Sequence, residues 1–274
     1  MKIFRQLNKL SMFLWFNRWS IDVALGASLA YAWLTHYYHR ETSWVAVFAM
    51  FFAVLAWYHL DHLIDSYALK AVTLRRQFYV FHRKTLQASV FVNCLIAFVL
   101  SFFLPFELLW KGWILVGVMV GYFLFVFLCK KQFFFKELSV ALIYSVAVHI
   151  HVIEEDLLSV GRTIIAYFLL AFSNLLLFDY FEQLEEKKVA RKRAEKWFYG
   201  TLLVQGGVAL LAFFQSPVML LRQLAHTSFL MAHLSFLLFW HQKLFFLNGE
   251  KFRFMSDGIF VALPILGLCF SIVL

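Results

Sequence analysis

Charge is scarce in this chain. Asp, Glu, Lys and Arg make up 15% of its 274 residues, against 63% hydrophobic residues and a mean hydropathy of +0.76. Soluble domains hold about 25% charged and about 45–50% apolar residues. Polar surface this sparse cannot cover so much apolar surface, which excludes a water-soluble globule. Proline is equally rare, with only Pro105, Pro217 and Pro264, and no Ser/Gly-rich stretch interrupts the chain. Long flexible linkers are thereby excluded, and one domain with short connections is expected over residues 19–274. Cys94, Cys129 and Cys269 are few, far apart and set in apolar runs. That spacing argues against a disulfide framework and for buried apolar thiols.

Residues 1–18 lack both the continuous apolar core and the small-residue cleavage site of a secretory signal. Ile3, Leu7, Leu10 and Leu14 recur there at helical spacing, with Lys2, Arg5, Gln6 and Lys9 between them. This pattern predicts an amphipathic helix lying in the membrane interface.

Apolar runs dominate the rest. About 20 residues are needed to cross a bilayer as a helix, and nine segments qualify: 19–38, 43–63, 85–104, 112–129, 137–154, 160–180, 197–215, 218–240 and 256–274. The expected fold is an all-α polytopic membrane protein of nine transmembrane helices. Trp110-Lys111-Gly112-Trp113 reads as interface before the fourth span. Arg222, His226 and His233 suggest a tilted or broken eighth. Net charge is +9, which in a soluble protein would raise the question of nucleic acid. Here the distribution gives the charge another meaning. With the N-terminus in the cytoplasm, 21 of the 25 Lys and Arg fall on the cytoplasmic side, and only Arg40, Lys111, Arg162 and Arg222 fall outside. Such a bias sets membrane orientation. The expected partners include membrane lipid and exclude nucleic acid.

The chain is organised around Trp57 to Asp65, WYHLDHLID, and its echo at Phe178 to Glu186, FDYFEQLEE. Each ends a long apolar run, four spans apart, on the expected cytoplasmic side. Asp61 and Asp65 are spaced i, i+4, as are Glu182 and Glu186, so each pair shares a helix face. Asp179, Glu182 and Glu186 form one stripe, while Glu185 points elsewhere. Ionisable groups at the edge of a span are costly and read as functional. Adjacent carboxylates repel unless a cation joins them, and hard Mg²⁺ selects oxygen ligands. The expectation is a carboxylate cage for Mg²⁺ and a diphosphate, with Asp61, Asp65, Asp179, Glu182 and Glu186 as metal ligands. A single pair at a helix end would read equally well as solvated headgroup-level acids; two pairs on one side favour a shared site.

Basic residues follow each motif: Arg75, Arg76, Arg83 and Lys84 after the first, and Lys130, Lys131 and Lys136 at the end of the fourth span. Arg75, Arg76 and Lys131 are the expected diphosphate contacts, because Arg and Lys form charge-assisted bonds to phosphate oxygens. Basic loops are also what any cytoplasmic membrane face carries. Lys187, Lys188, Arg191, Lys192 and Arg193 read as a headgroup-facing surface. His59 could act as base or ligand; His149, His151, His226 and His233 read as hydrogen-bonded packing residues, and an axial haem pair stays open. The 35 Phe could line a tunnel for a hydrocarbon chain, although most read as lipid-facing.

With its two acidic stretches at the ends of the second and sixth of nine spans, the chain resembles the UbiA superfamily of intramembrane prenyltransferases. The stretch from Thr73 to Arg83, TLRRQFYVFHR, looks like the basic loop after the first motif in a divergent branch. Lys136-Glu-Leu, Arg253-Phe-Met-Ser-Asp257 and Phe127 to Lys131 are similar in position to other family features. The resemblance covers roughly residues 19–274 and rests on topology more than on strict motifs. Laid on the family's Asn-Asp-x-x-Asp-x-x-x-Asp, the last two acids fall on Asp61 and Asp65, while Trp57-Tyr58 stands where Asn-Asp would; Phe127 stands in place of a Tyr. The resemblance implies Mg²⁺-dependent transfer of a prenyl group from a prenyl diphosphate to a lipophilic acceptor, with Asp61, Asp65, Glu182 and Glu186 catalytic. The substituted positions also allow a non-catalytic descendant, a lipid-binding or assembly subunit. A proton-coupled transporter fits less well, because its acids belong near the midplane.

Overall fold

The computed structural model of the protein describes residues 12–68, 74–128, 133–154, 157–185, 191–214 and 251–273. Among these every regular element is an α-helix: α1 (Met12–Arg18), α2 (Ile21–Tyr37), α3 (Trp44–Ala68), α4 (Leu74–Phe81), α5 (Arg83–Ser101), α6 (Phe106–Leu128), α7 (Phe133–Val148), α8 (Leu157–Glu185), α9 (Arg191–Phe214) and α10 (Lys251–Val273). Four are long and apolar enough to cross a membrane, within Trp44–Tyr67, Arg83–Ser101, Phe106–Phe125 and Leu158–Asp179. Helices α2, α7, α9 and α10 overlap the expected first, fifth, seventh and ninth spans in sequence, and the apolar stretches of α9 and α10, Tyr199–Leu211 and Ser256–Cys269, are shorter. The expected eighth span, with Arg222, His226 and His233, lies outside the described residues, as do residues 1–11 of the expected interfacial helix.

Apolar surface is displayed rather than hidden. On α5 and α6, Phe91, Leu95, Phe98, Trp113, Val120 and Leu124 are all exposed. Soluble monomers rarely expose contiguous apolar patches beyond a few hundred Å². A hydrocarbon environment removes that penalty, so the exposed faces and the helix lengths together describe an α-helical membrane protein.

α3 packs against α5 on one side and α2 on the other; α2 packs against α7 and α10; α8 joins α7 to α9. α6 lies against α7. Small residues on α2, among them Ala24, Ala27 and Ala30, are fully buried. Small side chains let helix backbones approach where lipid offers no hydrophobic drive for association. Two glycines mark the closest approaches. A Cβ on Gly267 would lie 2.2 Å from the Trp33 indole nitrogen, and one on Gly26 would lie 3.2 Å from the Phe260 carbonyl oxygen. Pro264, inside α10, has no N–H to give that carbonyl. The neighbouring helix therefore comes close where α10's own ladder is interrupted.

Several boundaries differ from the sequence expectation. α3 continues through Asp61 and Asp65 to Ala68, and α8 runs to Glu185, so the first acidic stretch and the second as far as Glu185 are helical. Trp110-Lys111-Gly112-Trp113 sits inside α6. Lys111 anchors it there, bonding Glu107 at 2.7 Å and Glu154 at 2.9 Å. The basic stretch after the first motif contains a short helix, α4, whose Phe78 and Tyr79 are buried beside Leu86.

Candidate functional site

The acidic ends of α3 and α8 share one end of the bundle with the starts of α7 and α10, the α1–α2 junction and α4. The opposite end holds Arg40, Glu107, Lys111 and Glu154, where Lys111 joins α6 to the turns after α7. Tyr38 meets Thr163 there at 3.2 Å, and Tyr31 meets His151 at 3.0 Å. Among the described residues, α2, α3, α5, α6, α7 and α8 thus alternate in direction between the two ends.

On α3 the i, i+4 spacing turns Asp61 and Asp65 to one face, and both reach a single cation. Lys136 Nζ, from the first turn of α7, is 3.1 Å from Asp61 Oδ1 and 3.4 Å from both Asp65 oxygens. The three side chains are 23%, 21% and 30% exposed for Lys136, Asp61 and Asp65, so the cluster is sheltered but open to solvent. Burial disfavours the Lys136 ammonium, yet Asp61 and Asp65 outweigh it and hold this group above the usual lysine range. Arg76 acts electrostatically on Asp65. Glu137, next to Lys136, feels both Asp61 and Asp179. The first acidic stretch and the start of the second therefore lie at the same end of the bundle, both within the electrostatic reach of Glu137.

Toward the bundle interior the cluster meets aromatic rings. Trp57, one turn before Asp61, lies 4.0 Å from Phe123 and 5.4 Å from Tyr122, centroid to centroid. The Tyr122 hydroxyl is buried without a hydrogen-bond partner among the described residues, and Asp61 and Lys136 are among the charges acting on it. Trp57 thus builds an aromatic wall with Tyr122 and Phe123.

A second polar cluster adjoins the first and was not foreseen as a unit. Asn17 donates from Nδ2 to Asp22 Oδ2 at 2.6 Å and to Asp257 Oδ2 at 2.8 Å. Asn174 donates to the other Asp257 oxygen at 3.2 Å, and Ser256 donates to Asn174. Arg75 turns into this network: it donates to Tyr79, to Asn17 Oδ1 at 3.5 Å and to His62 Nε2 at 3.2 Å. Because guanidinium can only donate, that His62 nitrogen is an acceptor and the ring is neutral. Ser20, held at φ 53° between α1 and α2, brings its hydroxyl 3.0 Å from the same nitrogen. Arg253 stacks on Phe178 at 4.4 Å. Burial, with Arg75 nearby, pulls the Arg253 guanidinium down to about 9, against Asp257's opposing effect. Polar residues inside apolar runs, such as Asp22 and Asn174, are the sequence signal that points to this cluster.

Of the expected site residues, Asp61 and Asp65 come together, Asp179 is buried at the same end, and Arg76 is half-buried near Asp65. Arg75 is buried in the second network. Glu182 lies in the last turns of α8, while Glu186 and Lys131 lie outside the described residues. His59 is fully engaged: Nε2 donates to the Trp19 carbonyl at 2.9 Å and Nδ1 accepts from Ser89 at 2.9 Å. Among the described residues no three His, Cys, Asp or Glu side chains gather as a metal site. Magnesium needs less protein than that, since one or two carboxylates plus ligand phosphates commonly hold it. Asp61 and Asp65, already focused on one cation, fit that donor set. In comparisons with known proteins, no family model, no curated protein and no solved structure matches the chain.

Proposed function

We propose that the chain is an intramembrane prenyltransferase-like protein of UbiA type, moving a prenyl group from a prenyl diphosphate to a lipophilic acceptor. The observation that carries this reading is the focus of Asp61 and Asp65 on one cationic point, with Asp179 buried at the same end of the bundle and an aromatic wall behind. In this reading nine spans cross the membrane, and the N-terminus and acidic end face the cytoplasm. Asp61 and Asp65, joined by Asp179, Glu182 and Glu186 from the second stretch, would hold Mg²⁺. Bound there, Mg²⁺ would supply positive charge against the diphosphate oxygens as the C–O bond breaks. Arg76 and Lys136, with Lys131, would bind the same oxygens by charge-assisted bonds. Arg75 would act through His62 and Tyr79, fixing α4 beside the site. Trp57, Tyr122 and Phe123 would keep water from the reacting carbon.

A second reading has a specific observation behind it. Lys136 already bridges Asp61 and Asp65, and Trp57-Tyr58 supplies no metal ligand where the family pattern has Asn-Asp. A catalytically degenerate lipid-binding or assembly subunit would be built this way.

The test uses the full chain in nanodiscs with a labelled prenyl diphosphate and Mg²⁺. Asp61→Asn and Glu182→Gln should each abolish Mg²⁺-dependent diphosphate release while the protein keeps its size-exclusion profile. Unchanged release in both variants rejects the assigned site. Mg²⁺-dependent binding without release by the wild type selects the degenerate reading.

A further inference from the structure

Two like charges one helical turn apart on α3 need a cation, and the protein supplies its own. Lys136 reaches both carboxylates of the pair from another helix, at 3.1 and 3.4 Å. A lysine ammonium is a point charge on a flexible four-carbon stem, able to change partners without moving its backbone. A divalent ion bound by Asp61 and Asp65 must occupy the point this ammonium holds, because both are attracted to the same oxygens. The two cations are therefore competitors for one place.

A second observation points to a ligand beside the pair. The Tyr122 hydroxyl, on a residue only 6% exposed, has no hydrogen-bond partner among the described residues and lies within the field of Asp61 and Lys136. A buried polar group left unpaired costs about 1–3 kcal/mol and calls for an explanation. An anion drawn in beside Lys136 would receive that hydroxyl. It would also meet Arg76, which already acts on Asp65.

We propose that Lys136 is an exchangeable counter-ion, bridging Asp61 and Asp65 until a phosphate-bearing ligand takes its ammonium and frees both carboxylates for a divalent cation. This inference rests on the carboxylate site proposed above and adds how that site is controlled. Divalent cation and anion then bind with positive coupling, and linkage makes the effect reciprocal. The lysine prevents the acids from holding a divalent ion tightly in the ligand-free protein.

The experiment measures Mn²⁺ affinity by electron paramagnetic resonance on the full chain in nanodiscs, at buffered free Mn²⁺. Wild type should bind weakly alone and more tightly with a prenyl thiodiphosphate. Lys136→Met should bind Mn²⁺ alone about tenfold more tightly, equivalent to about 1.4 kcal/mol of removed competition, and should gain little more from the thiodiphosphate. Lys136→Arg, which keeps the charge, should stay weak, and adding Asp61→Asn to Lys136→Met should erase the gain. Lys136→Gln provides the same comparison if Lys136→Met does not fold. Equal, measurable Mn²⁺ affinity in wild type and Lys136→Met overturns the exchange and leaves the carboxylate site standing. No Mn²⁺ binding by any form, with or without thiodiphosphate, overturns the exchange and the site together.

Discussion

One amide nitrogen of Asn17 joins Asp22, 2.6 Å away and five residues on, to Asp257, 2.8 Å away and 240 residues on. The first described helix is thereby tied to the last through two buried carboxylates. Removing the amide leaves those carboxylates facing each other without their shared donor. Asn17→Leu should cost about 3 kcal/mol, the scale for stranding buried charge, and lower Tm in detergent. Asp257→Asn in the same chain should recover part of the loss by removing one charge. Equal Tm for Asn17→Leu and wild type would show that the bridge contributes nothing.

Gly267 makes a steric prediction that Gly117 controls. A methyl at 267 would overlap the Trp33 indole, with ring atoms at 2.2, 2.3 and 2.7 Å, whereas nothing lies within 4 Å of a methyl at 117. Gly267→Ala should cost about 1–3 kcal/mol through overpacking, and Gly117→Ala should be neutral within about 0.5 kcal/mol. Replacing Trp33 by Leu beside Gly267→Ala should return part of the stability, read as a positive coupling in a double-mutant cycle.

The neutral His59 ring donates to Trp19 and accepts from Ser89, so its work is to link α3 to the α1–α2 turn and to α5. His59→Phe strands both partners and should lower Tm by several degrees. His59→Gln, which keeps a donor and an acceptor, should lose less. Neither should change Mn²⁺ affinity beyond about twofold, because the ring faces away from the carboxylate pair. A larger change would make His59 part of the cation site.

Much of this was legible in the residues. The i, i+4 spacing of Asp61 and Asp65 gave their shared face, and charge alternation gave the common end, since both depend only on helical geometry. Lys136 was legible as a residue but not as the partner of that pair, because its pairing depends on how α7 packs. Asn17, Asp22 and Asn174 escaped notice for the same reason. Each lies in or beside an apolar run with no motif around it, and what it bonds is set by helices up to 240 residues away. α4 was hidden by reading basic residues as a loop, although Arg75, Phe78, Tyr79 and His82 repeat at helical spacing.

Membrane orientation can be tested from pairs of residues at opposite ends of the bundle. Glu154 is exposed and joined to Lys111 at one end, while Arg76 lies within electrostatic reach of Asp65 at the other. The excess of Lys and Arg on the Arg76 side predicts that this side is cytoplasmic. In intact cells, a cysteine replacing Glu154 should react with a membrane-impermeant maleimide, and one replacing Arg76 should react only after lysis. Cys94 and Cys269, exposed on apolar helix surfaces, should stay unreactive in both conditions because a charged reagent does not enter hydrocarbon; replacing the three native cysteines with Ala supplies the baseline. Labelling of both engineered positions from outside would mean the two ends do not face opposite compartments. The reverse pattern, Arg76→Cys outside and Glu154→Cys inside, would keep the bundle but move the acidic end to the far side of the membrane, away from cytoplasmic prenyl diphosphates and Mg²⁺.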